Sequence, residues 1–217
     1  MSRTSRLHQG LVAGFSILVL ARCAEADLQD TPGAKTDRES RYERQRAGAT
    51  PDEWARRLED PQPEVRLETV KSLAESNDPK AHDLLMQAVE DRDPRVATTA
   101  VDALGRNGAK YASSFLAQHL FLAGTSPGLR QRILIALGRI HDPTTARLIL
   151  EFIRGDADPQ LRGTAIRVIG EIDDGSTLAD LRRFAEQEKD GQLKTLANDA
   201  VTRIEARQAR TESAGAH

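Results

Sequence analysis

The sequence predicts an all-α fold: an α-solenoid of about four to five stacked helical hairpins. Three observations point there. First, residues 127–153, PGLRQRILIALGRIHDPTTARLILEFI, carry apolar side chains at Leu129, Ile133, Ala136, Leu137 and Ile140, one face of a helix. After His141-Asp142-Pro143 the pattern restarts with Leu148, Ile149, Phe152 and Ile153, which makes the segment a hairpin. Second, a hairpin this short cannot bury both apolar faces alone, and the pattern recurs up- and downstream at a period of 31 to 33 residues. Third, aromatic residues make up only 4% of the chain against 29% charged residues, a composition suited to aliphatic helix contacts.

Taken in order, residues 1–26 read as a secretory signal: Arg3 and Arg6 precede the apolar run LVAGFSILVLA at residues 11–21. Eleven helical residues rise only about 16 Å, too little to span a bilayer. Ala24-Glu25-Ala26 fits a cleavage site, and Val19-Leu20-Ala21 is a second one. The single cysteine, Cys23, follows Leu20-Ala21-Arg22, which resembles the lipobox of bacterial lipoproteins except that Arg22 replaces a small residue. Two readings therefore stand: Cys23 is discarded with the signal, or it is lipidated and provides the one membrane attachment. Residues 27–49 hold Leu28 and Tyr42 as their only large apolar side chains among charges of both signs, and read as a flexible charged linker. Removal of residues 1–26 changes the formal net charge from −2 to −4, which argues against a nucleic-acid binder.

Order is expected from Thr50, where Thr50-Pro51-Asp52-Glu53 has the form of a capping box with proline at the first helical position. Trp54 and Leu58, four apart, are expected to cover the end of the array. With Val65, Val96, Leu129, Leu161 and Leu193 as offset zero, the +5 column reads Val70, Val101, Leu134, Ile166, Asn198. The +8 column reads Leu73, Leu104, Leu137, Ile169, Val201, and the +9 column is small: Ala74, Gly105, Gly138, Gly170, then Thr202. Glycine costs about 1 kcal/mol against alanine inside a helix, so its recurrence implies close backbone approach or helix termination. Second helices repeat through Leu85, Leu116, Ile149 and Leu181 at +20. Asp-Pro pairs at 78–79, 93–94, 142–143 and 158–159 place an acceptor at the N-cap and a ring at N1.

The strings DPQPEVRLETVKSLAESNDPKAHDLLMQAV, DPRVATTAVDALGRNGAKYASSFLAQHL, LRQRILIALGRIHDPTTARLILEFI and DPQLRGTAIRVIGEIDDGSTLADLRRF resemble HEAT repeats, in the short form also found in phycobilisome lyases. The resemblance covers about residues 58–205. It implies a right-handed superhelix with first helices outside and second helices lining a concave face. Thr69, Ser72 and Ser76 in the first unit fit a terminal repeat, and Asn198 marks the C-terminal cap helix. The repeat domain is expected over residues 50–207, with a disordered tail over 208–217.

No nucleotide loop, nucleophile elbow, HExxH or cysteine cluster is present, so a non-enzymatic protein without metal or cofactor is expected. His82, His119 and His141 are not at metal-binding spacing, and His119, in a core column, is expected to bond a backbone carbonyl. Asp173-Asp174-Gly175-Ser176 reads as a turn and N-cap. The +1 column, Arg66, Arg130, Arg162 and Lys194, is expected to bridge neighbouring repeats or meet solvent. The candidate site is a strip on the second helices: Asp83, Met86, Gln87, Gln118, Phe121, Arg147, Leu150, Glu151, Arg154, Arg182 and Arg183, turning from acidic to basic. A merely solvated helix face is the competing reading. The expected function is an exported scaffold that holds a protein or peptide in the periplasm or cell envelope. The rivals are a bilin lyase or isomerase, suggested by the resemblance alone, and a solenoid binder of nucleic acid.

Overall fold

Proline and a side-chain acceptor open most of the helices. In the computed structural model, which describes residues 50–76, 78–155 and 158–215, α1 is Pro51–Leu58, α2 Pro63–Ala74, α3 Pro79–Ala88, α4 Pro94–Arg106 and α5 Ser113–His119. There follow α6 Pro127–Ile140, α7 Ala146–Gly155, α8 Pro159–Ile172, α9 Leu178–Gln187 and α10 Gly191–Gly215. No strand occurs among the described residues. The signal, the two readings of Cys23 and the charged linker fall on residues 1–49, outside the described residues. Among the described residues no helix is long and apolar enough to cross a membrane.

The caps form as their residue types require. The Thr50 hydroxyl accepts from the Glu53 amide at 3.3 Å, Asp78 from Lys80 at 2.9 Å, Asp93 from Arg95 at 2.8 Å and Asp158 from Gln160 at 2.8 Å. Asp142 caps a 3-10 turn, Pro143–Thr145, that leads into α7; a similar turn, Lys110–Ala112, precedes α5. Of the second helices only α5 is short, at 7 residues; α3, α7 and α9 have 10 each.

The hairpins stack so that the first helices α2, α4, α6, α8 and α10 pack side by side, while consecutive second helices meet less closely. The +9 column makes the close row. A Cβ added to Gly105 would lie 2.9 Å from the Ala136 backbone, and one on Gly170 would lie 2.9 Å from the Ala200 Cβ. Gly138 is looser, at 3.4 Å from Val168. Column +9 of one unit thus presses on column +7 of the next, which is the close approach the glycines predict. The +5 and +8 columns are buried in one continuous core through Ile169, and Val201 joins it, whereas Asn198 is exposed on the last helix. Trp54 and Leu58 are buried where α1 covers α2 and α3.

Two members of the +1 column join neighbouring repeats. Arg66, 3% exposed, donates through Nε and Nη2 to Asp91 at 2.7 and 2.9 Å and through Nη1 to the Asp60 carbonyl at 2.8 Å. Arg162 donates to the Ile153 carbonyl at 2.9 Å and pairs with Glu188. Arg130 reaches the Leu122 carbonyl at 3.2 Å, and Lys194 is exposed.

The C-terminal tail differs from expectation. Instead of loosening at Gln208, α10 runs on to Gly215. Arg207 donates to the Gly170 and Glu171 carbonyls, which satisfies the open end of α8, and Gln208 donates to the Asp174 carbonyl at 3.3 Å. The polar tail sequence hides contacts that only the neighbouring helix end supplies.

Candidate functional site

The second-helix strip forms on α3, α5, α7 and α9, with Asp83, Gln87, Gln118, Phe121, Arg147, Glu151, Arg154, Arg182 and Arg183 all exposed. Met86 is half-buried and packs on the core. Leu150 does not belong to the strip: expected as an apolar surface anchor, it is 2% exposed, and Ala117 at the same offset is fully buried. The +21 column lies where α5 and α7 approach each other, so inner units bury it and only the outer units leave it open.

The basic end of the strip is largely neutralised. Asp180 accepts from both Arg154 and Arg183 at 3.3 Å, and Arg182 pairs with Glu205 of α10. Arg147 carries no ion pair among the described residues. What the strip offers instead is aromatic. Phe121 and Leu122 are 48% and 49% exposed in the turn after α5, and Phe121 meets Phe152 of α7 edge-on with centroids 6.1 Å apart. Tyr111, 47% exposed, stacks on His82 of α3 at 4.7 Å. Desolvation and the Asp83 carboxylate push its phenol up to about 12. Sequence reasoning missed Tyr111 and Leu122 because both lie in turns, outside the helical columns; their apolar bulk beside Gly108 and Gly124 was the available signal.

His119 is 7% exposed, and its Nδ1 donates to the Phe115 carbonyl at 2.9 Å, as its column predicts. Its Nε2 faces Glu90 at 3.4 Å. Asp173 is fully buried and accepts from the Ser176 and Thr177 hydroxyls at 2.9 and 2.7 Å, while Asp174 accepts from the Ser176 amide at 3.0 Å. That pair builds the turn, but the expected N-cap does not form: the N-cap of α9 is Thr177, which makes no side-chain cap bond. Among the described residues no group of three or more His, Cys, Asp or Glu side chains is arranged to hold a metal ion.

A second surface, absent from the sequence reading, lies on the first-helix side. A hollow of 570 Å³ spans α4, α6 and α8, and a neighbouring one of 480 Å³ shares His141 and Glu171 with it and reaches α10. Its floor is Gly105, Gly138, Ile135 and Val168, and arginines form its walls.

No curated protein matches the chain. HEAT repeats match residues 51–121 and 119–202, the same span as the stacked hairpins, without distinguishing the phycobilisome-lyase form. A helical-repeat scaffold with two open faces is the architecture these residues build, and the chain belongs to the HEAT-repeat family.

Proposed function

We propose that the protein is an exported, non-enzymatic scaffold that holds a protein partner in the cell envelope through its second-helix strip. The exposed pair Phe121-Leu122 carries this reading: two large apolar side chains stand in water beside exposed Gln118, and Phe121 is already steadied by Phe152. A preordered aromatic loses little side-chain entropy on docking, and such residues dominate interface energetics. HEAT-repeat architecture supports a binding role, because stacked hairpins expose long surfaces that the core does not need. Export rests on the basic start and the apolar run at residues 11–21.

Chemical cross-linking in cells followed by recovery of the full chain tests the strip. Phe121→Ser combined with Arg147→Glu is expected to lose a partner that wild type retains. Equal recovery of every partner by the two proteins defeats the reading. N-terminal analysis of the same material tests export: a start at Asp27 or a lipid on Cys23 supports it, and retained Met1 defeats it.

A further inference from the structure

We infer that the first-helix groove across α4, α6, α8 and α10 is a second docking surface, built for an acidic peptide segment that also carries aliphatic side chains. It is independent of the second-helix strip. Arg106, Arg139 and Arg167 line the larger hollow, and Arg203 and Arg210 line its extension. None of the five has a carboxylate partner among the described residues; Arg167 touches only the Thr164 hydroxyl, at 3.3 Å. On the strip, Arg154, Arg182 and Arg183 are committed to Asp180 or Glu205, and of its arginines only Arg147 carries no ion pair among the described residues.

In a chain of formal charge −2, a row of arginines left without internal partners is a concentrated positive field. Only one carboxylate, Glu171, lines the hollows; Asp102, close by on α4, is engaged by Arg132 at 3.4 Å. The row has a structural origin. Arg106 and Arg139 stand in the +10 column, one residue past the glycines that draw α4 and α6 together; the column continues with Glu171 on α8 and Arg203 on α10, and on α8 the positive charge comes instead from Arg167, four residues before Glu171. Three guanidinium groups lining one hollow match carboxylates of a peptide, each able to accept two parallel hydrogen bonds.

The floor decides between an acidic peptide and a polyphosphate. Half-buried Ile135 offers an apolar side chain that an aliphatic group can cover and a phosphodiester backbone cannot, while Val168 is 5% exposed and the glycines are covered by the next helix. The acidic body around the groove also repels nucleic acid more strongly than it repels a short peptide.

Fluorescence anisotropy with the full chain tests this, using a labelled peptide of alternating glutamate and leucine as probe. Wild type is expected to bind it, with affinity falling as salt rises. Arg106→Gln, Arg139→Gln and Arg167→Gln together are expected to weaken binding about tenfold, the sum of three modest ion pairs. Lys71→Gln, exposed on α2 and outside both surfaces, is expected to leave it unchanged. These arginines make no ion pairs, so the variant should fold; a helical circular dichroism spectrum matching wild type verifies that, and Ile135→Lys supplies an independent loss of binding. The inference is overturned if the triple variant binds like wild type, if a lysine-leucine peptide binds equally, or if a DNA oligonucleotide binds more tightly than the acidic peptide.

Discussion

At the scale of single residues, the glycine column gives the sharpest test of the stack. Alanine gains about 1 kcal/mol over glycine from helix propensity alone, whereas overpacking a filled contact costs about 1–3 kcal/mol. Where the added Cβ meets rigid backbone, at Gly105 against Ala136, overpacking wins, and the same holds for Gly170 against Ala200. Gly105→Ala and Gly170→Ala are expected to unfold at lower urea concentration than wild type. Gly138→Ala, whose Cβ would rest at 3.4 Å against side-chain atoms, is expected to match wild type or exceed it. A reversed order would mean the helices can separate freely. His141 ends α6 in the left-handed region at φ 54°, a conformation that costs a side chain about 1–2 kcal/mol and glycine almost nothing. His141→Gly is expected to stabilise the chain by about 1 kcal/mol, read as a higher urea midpoint.

Carboxylates at the turns set the acid limit. The Arg95 guanidinium, followed by the Arg95 amide, holds the Asp93 carboxyl down to about 2. Burial alone would raise Asp91, but Arg66 and the Asp93 amide outweigh it and leave the carboxyl below its usual range. Asp142 follows the same logic, with burial opposed by the Ser113 and Thr144 hydroxyls. A carboxyl depressed on folding adds stability that is present above its unfolded value, about 4, and is lost as pH falls through its folded value. Stability measured by urea unfolding is therefore expected to decline between about pH 4 and pH 2. Asp93→Asn should flatten that slope, and a slope identical to wild type would show that its ion pair does not survive in solution.

At the scale of elements, the first and second helices are held differently. Arg66, Arg162 and Arg207 each join a first helix to carbonyls or carboxylates of an adjacent loop or helix end. Removing residues 207–217 takes away Arg207 and Gln208 and leaves the Gly170, Glu171 and Asp174 carbonyls open. The truncated chain is expected to melt at lower temperature with earlier loss of α8 and α10, which amide hydrogen exchange resolves. Unchanged protection in α8 would reduce the extended α10 to an ornament. On α7, Leu150→Ala is expected to cost about 2–5 kcal/mol, as core truncations do, whereas Arg147→Ala four-fifths of a turn away should stay within about 0.5 kcal/mol.

At the scale of the whole molecule, each hairpin touches only its neighbours, so stability is a sum of local terms and disturbances decay along the array. Gly170→Ala is expected to speed amide exchange in α8 and α10 more than in α2 and α3. Uniform acceleration along the chain would mean the hairpins unfold as one block. The same arrangement leaves two long faces free of structural duty, an aromatic one on the second helices and an arginine-lined one on the first.

The sequence by itself determined the hairpins, their period, the caps and the core columns, because these depend on local periodicity and on residues three or four apart. The close approach at Gly105 and Gly170 was legible for the same reason. Tertiary packing decided the rest. Leu150 and Ala117 are buried because α5 and α7 happen to approach there; Arg182 and Arg183 are paired because Glu205 and Asp180 arrive from elsewhere in the stack. The arginine groove arose when arginines of different columns on neighbouring first helices were brought to one hollow, and α10 stayed helical because Arg207 found the carbonyls at the end of α8. A side chain's pattern states which way it faces on its own helix, but what it meets there depends on how closely the next helix packs.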